Sequence, residues 1–220
     1  RSGYAYEYQM KVAAYTGWNY EYVEGSWSDL MDMLKKGEID MMSDVSFTDE
    51  RASQMLFPDL PMGSEVYYIF TSPANKEIRS DDYSTLNGKK IGINKGSIQV
   101  GLYREWASQH GVDAEVIEIT TKEEDSISML QRGELDAYIT PDAFSDPEKL
   151  VPVCKIGSSD FFFVVCNGRE DLLGELNAAM GSIQDENRYY NQQMSDKYLI
   201  RAGVNTFLNA DEKKWLDRHG

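Results

Sequence analysis

The sequence predicts an α/β fold, and two observations support that prediction. Predicted strands alternate with predicted helices over most of the 220 residues, which is typical of largely parallel sheets flanked by helices. In addition, the stretch "MLKKGEIDMMSDVSFTD" (33–49) is echoed by "MLQRGELDAYITPDAFSD" (129–146). Each copy has the end of a helix, a glycine, a glutamate, an aliphatic residue, an aspartate, a short strand and a polar loop. The echo indicates two similar α/β lobes, each with a mixed, largely parallel sheet.

The composition limits the function classes. Apolar residues make up 41% and aromatic residues 12% of the chain, enough for a core in one domain or one unit of two lobes. The formal net charge of -15 argues against nucleic acid and anionic membrane surfaces as partners, because both attract lysine and arginine. The sequence has no apolar run of membrane-spanning length and no signal peptide, and "RSGYAYEY" at its start reads like the middle of a domain. We therefore expect a piece of a longer protein, whose compartment the missing signal leaves open.

The first third of the chain is predicted to alternate helix and strand. A helix over 4–15 ends before Gly17, which suits a C-cap. The next helix begins after Ser26 or Ser28 as N-cap and ends at Gly37, with two lysines in its last turn. "WNYEYVE" alternates and is rich in aromatic residues, which predicts a strand. Further strands are expected at "IDMMSDVSF" (39–47) and within "FPDLPMGSEVYYIFTS" (57–72).

The middle of the chain continues the alternation. Strands are predicted at "KIGIN" (90–94), "AEVIEI" (114–119) and "LDAYIT" (135–140), with helices at "IQVGLYREWASQHG" (98–111) and "TKEEDSISMLQRG" (121–133). Two more strands, "VPVCKIG" and "DFFFVVCNG", are expected with a turn between them, and the chain from Glu170 onward is expected to be mostly helical.

Two cysteines, Cys154 and Cys166, are too few for a disulfide framework. They flank the predicted turn between the last two strands, so a disulfide between them is one alternative. Two buried free thiols are the other and the more common case, because cysteine is readily buried.

Arg51 is the first candidate for a binding residue. With Thr48 as N-cap, the residues Asp49, Glu50 and Arg51 form the first turn of a helix, where the helix dipole favours acids over a cation. A planar guanidinium at this place suits a carboxylate, which it can bind through two parallel hydrogen bonds. The alternative is a solvated surface ion pair with Asp49 or Asp59.

The turn "NKGSIQ" is the second candidate. A strand followed by Gly96, Ser97 and a helix start can bind an anion, because glycine allows close approach and serine can cap or donate. It matches neither the Walker A loop nor the dinucleotide fingerprint. The alternative is an ordinary capped turn between strand and helix.

Two further residues have a functional and a structural interpretation each. Trp27 lies at the start of a helix, where its ring can line a binding site or pack in the core. Asp142 lies in the second echo loop, where it can oppose a ligand's ammonium or act as a turn residue after Pro141.

The chain offers little for metal or acid–base chemistry. The two histidines, His110 and His219, each adjoin a glycine and lack histidine or cysteine partners at ligand spacing. The serine nucleophile-elbow motif is absent from the sequence. We therefore expect no metal, no cofactor and no catalytic residue.

Several blocks of the sequence resemble the bacterial extracellular solute-binding proteins of family 3, the amino-acid-binding type. The resemblance runs from about 3 to 204 and rests most on the order of its blocks, which are "GYAYEYQMKVAAYTGW", "WSDLMDMLKKGEIDMMSDVSFTDER", "LFPDLPM", "LNGKKIGINKGS" and "LQRGELDAYITPD". It implies a periplasmic-binding-protein fold of type II, a two-lobed Venus flytrap that closes on a ligand in the cleft between its lobes. Lobe 1 would be 1–66 plus 166–205, lobe 2 would be 67–165, and 206–220 would extend toward a following domain.

The resemblance also implies a set of ligand-binding residues. Arg51 matches the arginine that grips an amino acid's α-carboxylate, and Trp27 matches an aromatic wall. Two features depart from the family: its first strand and pocket aromatic would lie upstream of Arg1, and Pro141 stands where an ammonium-binding aspartate is usual, with Asp142 one step late. The remaining implied contacts are Ser46, the backbone of Asp44, and the lobe-two turn Ser97, Ile98 and Gln99.

The end of the chain resembles the segment that follows such a domain in sensor histidine kinases and diguanylate cyclases. We therefore expect a non-catalytic, extracytoplasmic sensor domain of a membrane-tethered receptor, which binds a small carboxylate-bearing solute such as an amino acid. Dimerisation or a tandem flytrap domain in the parent receptor would fit this role. One alternative is a free or lipid-anchored binding protein that works with an ABC permease, and another is an enzyme similar to cyclohexadienyl dehydratases.

Overall fold

The computed structural model describes residues 2–120, 123–142 and 148–199, together with Trp215 and Arg218 individually. Helices and strands alternate along most of this length, so the predicted α/β class is confirmed. The helices are α1 (Tyr4–Thr16), α2 (Trp27–Lys36), α3 (Asp49–Ala52), α4 (Gln99–His110), α5 (Glu123–Gln131), α6 (Glu170–Glu186) and α7 (Tyr190–Tyr198). The strands are β1 (Met41–Ser46), β2 (Met55–Leu56), β3 (Gly63–Thr71), β4 (Lys90–Asn94), β5 (Glu115–Ile119), β6 (Ala137–Pro141) and β7 (Val151–Cys166).

The described chain forms two compact units. The first consists of Arg1–Glu65 and Ser159–Leu199, and the second contains Val66–Ser158. The chain passes between them within β3 and within β7. The family resemblance implies lobe boundaries at 66/67 and 165/166, and these stay predictions.

The first unit packs its helices against antiparallel strands. Both β1 and β2 pair with the last residues of β7. Tyr8 and Phe163 are fully buried, and their rings meet edge to face with centroids 5.6 Å apart. Tyr4 donates to the carbonyl of Met62 at 2.7 Å. The core therefore joins α1, α6, α7 and the end of β7 through aromatic and aliphatic contacts.

The second unit contains the parallel part of the sheet. Strand β4 pairs in parallel with β5 on one side and β6 on the other, and β6 pairs antiparallel with β3. Gly92 in β4 allows close packing, since a Cβ there would lie 2.6 Å from Ile119 Cδ1 and 2.7 Å from Leu135 Cδ1. Trp106 and Tyr103 of α4 cover the sheet.

The internal echo has the same local structure in both copies. In each, a glycine with positive φ lies one or two residues after the end of a helix, with φ 71° at Gly37 and 75° at Gly133, and a short strand follows. Glycine suits this left-handed position because it has no Cβ. One copy lies in each unit, while residues 143–146 at the end of the second copy lie outside the described residues.

The strand predicted at 18–24 is wrong. These residues lie outside every helix and strand, because their backbone has no ladder partner among the described residues. The Tyr20 ring contacts the rings of both Trp18 and Tyr22, and the Trp18 indole donates to Glu175 at 2.7 Å.

The turn predicted at 158–159, between two strands, is also wrong. Val151–Cys166 is one continuous strand of 16 residues. Its first part packs in the core of the second unit and its last part in the core of the first, which holds the polar middle in the extended form. Cys154 and Cys166 are both free and buried. Because they lie far apart along one extended strand, the alternative of a disulfide between them is excluded.

Candidate ligand-binding site

The turn between β1 and α3 positions Arg51. The hydroxyl of Thr48 accepts a hydrogen bond from the Arg51 amide at 3.1 Å, so the predicted N-cap is confirmed. Asp49 and Glu50 occupy the first turn of the helix, where the dipole favours them. The cap fixes the backbone of Arg51 and therefore the origin of its side chain.

The Arg51 side chain is buried and oriented. The residue is only 9% exposed, and its Nη1 donates to the carbonyl oxygen of Ser46 at 2.7 Å. Its guanidinium carbon lies 5.1 Å from the centroid of the Trp27 ring, within the range of a cation–π contact. The alternative of a solvated surface arginine is therefore wrong.

Trp27 is held in place by the start of α2. The Ser26 hydroxyl caps this helix, accepting from the Asp29 amide at 3.2 Å and donating to its carboxylate at 2.6 Å. One side of the Trp27 indole packs against the core that contains Met31 and Leu34. The ring thus packs against the core and lies beside Arg51, while its role in lining a binding site stays a prediction.

Ser46 connects Arg51 to β7. It is buried, its carbonyl accepts from Arg51, and its hydroxyl accepts from the Ser159 hydroxyl at 3.1 Å. Sequence reasoning missed Ser159, because "GSSD" has the composition of a turn. The pattern of the sequence contains no other signal for this residue, since its role depends on β7 running straight past β1.

Asp44 lies in a β-bulge of β1. Ser43 and Asp44 stand between the paired residues Met42 and Val45, whereas a single residue separates their partners on β7. Asp44 has a φ of 61° and is the one non-glycine residue with a positive φ in the described ranges. Bulges of this kind redirect side chains and are common beside functional sites.

The turn after β4 lies in the second unit and contains Ser97, Ile98 and Gln99. Gly96 has a φ of 71°, and the Ser97 amide donates to Asn94 at 3.1 Å. The N-cap position of α4 is Ile98, so the helix lacks a side-chain cap. The Ser97 hydroxyl and the side-chain amide oxygen of Gln99, Oε1, are shielded from solvent. Neither has a hydrogen-bond partner in the described part of the chain. Shielding such polar groups from water without a hydrogen-bond partner carries an energetic cost.

Asp142, also in the second unit, follows the last residue of β6. Its Oδ1 lies 3.4 Å from the amide nitrogen of Val66, at the long end of hydrogen-bonding distance. Pro141 pairs with Tyr67 in the ladder. The contact with Val66 gives Asp142 a structural role beside its predicted role as a partner of ammonium.

Within the described ranges, no group of three or more histidine, cysteine, aspartate or glutamate residues is arranged to hold a metal ion. Nor does any described helix combine the length and apolarity needed to cross a bilayer. His110 stacks on Trp106 with ring centroids 4.6 Å apart, and its Nδ1 lies 2.8 Å from the Trp106 carbonyl oxygen. His219 lies outside the described residues.

The family described as bacterial extracellular solute-binding proteins, family 3, matches residues 1–200. A putative L-cystine ABC transporter from Listeria monocytogenes is 18% identical with a TM-score of 0.73, covering 94% of this chain and 89% of that one. An ancestral arginine-binding protein bound to glutamine is 20% identical, with a TM-score of 0.71 and coverages of 89% and 87%.

A third solved structure, a histidine kinase sensor domain with similarity to periplasmic binding proteins, is 20% identical with a TM-score of 0.70. The match covers 90% of this chain and 86% of that one. At such identities the three structures show a shared fold. Among curated proteins, no sequence matches this chain.

Proposed function

The chain belongs to the bacterial extracellular solute-binding proteins of family 3, and from this premise we propose that it binds a small carboxylate-bearing solute through Arg51. The observation that supports the proposal most is the burial of an oriented guanidinium. Its Nη1 is held by the Ser46 carbonyl and one of its faces lies over Trp27. The guanidinium carries a positive charge at every physiological pH, which attracts an anionic group. The planar fork matches a carboxylate in shape and charge.

We further propose that the domain is the extracytoplasmic sensor of a larger, membrane-tethered signalling receptor. Its likeness in fold to a histidine kinase sensor domain supports this role, as does the resemblance of its C-terminal sequence to the segments that follow such sensors. The likeness to a putative L-cystine ABC transporter supports the second candidate, a binding protein that delivers solute to an ABC permease. The full gene distinguishes the two, since a sensor continues into a kinase or cyclase domain.

A ligand screen tests the binding proposal. The purified domain is screened by thermal shift and calorimetry against amino acids and other small carboxylates, and at least one is expected to bind. Arg51→Ala should then lower the affinity for that ligand by about 100-fold. Arg51→Lys should lower it by about 10-fold, because lysine keeps the positive charge but loses the planar pair of donors that binds a carboxylate.

Arg169→Ala is the matched control. Arg169 belongs to the same unit but forms surface ion pairs with Asp40 and Asp171, so its loss should leave affinity unchanged. Circular dichroism confirms that each variant is folded. Equal affinity of Arg51→Ala and wild type would show that Arg51 does not hold the ligand. Turnover of prephenate or arogenate to an aromatic product would contradict a binding-only role.

A further inference from the structure

Asparagine followed by glycine is a dipeptide prone to spontaneous loss of the side-chain amide. The backbone nitrogen of the glycine can attack the side-chain carbonyl carbon of the asparagine, because a residue without a Cβ hinders this approach least. The sequence contains two such pairs, Asn87-Gly88 and Asn167-Gly168. All four residues are exposed, and both glycines have a positive φ, which is 69° at Gly88 and 86° at Gly168. The exposure and this backbone angle therefore do not distinguish the two pairs.

The Asn87-Gly88 pair is held by two hydrogen bonds to one residue. The Asn87 side-chain oxygen accepts from the Asp113 amide at 2.8 Å, and the Gly88 amide donates to the Asp113 carbonyl oxygen at 2.7 Å. The first bond restrains the carbonyl group that would be attacked, and the second occupies the nitrogen that would attack it. Both bonds must open before these two groups can react, so the fold protects this pair.

The Asn167-Gly168 pair lacks such protection. It forms the turn that follows Cys166, the last residue of β7, and precedes α6. Within the part of the chain that the structure describes, neither the Asn167 side chain nor the Gly168 amide has a hydrogen-bond partner. The attacking nitrogen and the attacked carbonyl group are therefore not restrained by hydrogen bonds to the described residues.

We infer that Asn167 is a modification site that deamidates spontaneously in the folded protein, whereas Asn87 is protected. The Gly168 nitrogen loses its proton and bonds to the side-chain carbonyl carbon of Asn167, and the amide nitrogen leaves as ammonia. Water then opens the resulting five-membered imide at either carbonyl, which gives aspartate or isoaspartate at position 167. Water is the co-reactant, and nothing is oxidised or reduced. This inference goes beyond the proposed function and does not depend on it.

The modification would change the charge and the length of a turn that carries ion pairs. Arg169, at the N-cap position of α6, donates from Nη1 to Asp40 at 2.6 Å and from Nη2 to Asp171 at 2.9 Å. The product adds a third carboxylate two residues before this guanidinium. Isoaspartate also adds one carbon to the backbone between β7 and α6. The Cys166 amide donates to the Asp40 carbonyl oxygen at 2.9 Å, so the altered turn adjoins a contact between β7 and the residue before β1.

Peptide mass spectrometry measures both sites in one sample. The purified domain is incubated at mildly alkaline pH with and without urea, and is then digested with trypsin at slightly acidic pH to limit deamidation during digestion. The tryptic peptides 80–89 and 156–169 carry one Asn-Gly pair each. In the folded protein Asn167 should deamidate at least about 10-fold faster than Asn87, because two hydrogen bonds protect the slower site. In urea the two rates should agree within about threefold, because the protecting contacts are lost.

A matched variant and the nature of the product complete the test. Asn167→Gln keeps a side-chain amide but forms a cyclic imide far more slowly, so peptide 156–169 of this variant should stay unmodified. Wild type should contain isoaspartate in that peptide, which enzymatic methylation of its carboxylate detects. Aspartate without isoaspartate would contradict the imide route.

The comparison of the two sites can overturn the inference. It is wrong if Asn167 stays unmodified in the folded protein or reacts no faster than Asn87. A rate difference as large in urea as in the folded state would show that the neighbouring sequence, and not the contacts with Asp113, protects Asn87. None of these results bears on the role of Arg51, which the ligand screen tests separately.

Discussion

The guanidinium carbon of Arg51 lies 5.1 Å from the centroid of the Trp27 ring, so the proposed ligand-binding cation rests on an aromatic face. The contact joins two helix starts, each capped by a hydroxyl: Thr48 caps α3 and Ser26 caps α2. The charged group and the ring thus both extend from the capped first turn of a helix. Preorganisation of this kind lowers the entropic cost of binding.

Trp27→Leu should lower the affinity of the domain for the ligand found in the screen. Loss of the cation–π contact removes about 0.5–2 kcal/mol, or about 2- to 30-fold in affinity, and frees the guanidinium to move. Calorimetry on the folded variant measures the change. Trp18→Phe is the control, because Trp18 contacts Glu175 and Tyr20 instead. A Trp27→Leu variant that binds as well as wild type would contradict the role of the ring.

Thr48→Ala should destabilise the first unit. Removing the hydroxyl leaves the Arg51 amide without its cap, at a cost of about 0.5–2 kcal/mol. Urea unfolding followed by circular dichroism measures this loss, and ligand affinity should fall as well, since α3 orients Arg51. Thr48→Ser keeps the acceptor and should remain near wild type in both measurements. Equal stability of the alanine and serine variants would argue against the cap.

Gly92→Ala and Gly101→Ala should have opposite effects. A Cβ at Gly92 meets Ile119 and Leu135 well inside contact distance, so crowding should cost about 1–3 kcal/mol. Gly101 lies inside α4, and a Cβ there meets nothing within 4 Å, so alanine should add about 0.5–1 kcal/mol of stability. Chemical unfolding of both variants checks the signs. A Gly92→Ala protein as stable as wild type would show that β4 adjusts freely.

The two thiols should be protected in the native protein. Burial raises the pKa of Cys154 to about 12, and burial is also the main cause of the raised pKa of Cys166. Both thiols are therefore expected to be protonated at pH 8 and slow to react, because the thiolate is the nucleophile. Maleimide labelling followed by mass spectrometry should add two labels in denaturant and almost none without it. Rapid labelling of Cys154 in the folded state would contradict its burial.

The Glu7 carboxylate should stabilise the folded protein at neutral pH, and this stabilisation should be lost in acid. Hydrogen bonds from Lys197 and Tyr198 lower its pKa below the ordinary 4.5. A lowered folded pKa means that the contribution is complete above the ordinary value and is lost as the pH falls through the folded value. Glu7→Gln should thus be less stable than wild type at pH 7, with the difference shrinking toward pH 3. Urea unfolding at both values tests this, with the exposed Glu21→Gln as control. A difference that does not depend on pH would contradict the assignment.

The parts of the fold that follow local rules could be predicted from the sequence. Gly17 ends α1 with a φ of 74°, and Thr48 caps α3, because caps depend on a few neighbouring residues. Local rules wrongly predicted a strand at 18–24, which the structure does not contain. Its aromatic alternation satisfies the local rule, but a strand also needs a partner, which only the tertiary structure can supply.

The residues of the candidate site could be named from the sequence, but the contacts between them could not be predicted. Arg51, Ser46 and Trp27 were singled out, but the carbonyl that orients Arg51 and the ring beneath it depend on how β1, α2 and α3 pack. Ser159 was missed, because serine and glycine usually indicate a turn and here lie within a long strand. The roles of all the predicted site residues in binding stay predictions, those of Arg51, Ser46, Asp44 and Trp27 as much as those of Ser97, Ile98, Gln99 and Asp142.

The unbroken course of β7 restricts how this chain can change length. A surface turn at 158–159 would accept an inserted residue or an epitope tag, but a continuous strand does not. Because side chains alternate between two faces, one residue added between Ile156 and Ser159 would turn Ser159 away from Ser46 or reverse the faces of the residues before it. Insertions here should therefore be selected against, and circular permutants should be opened elsewhere.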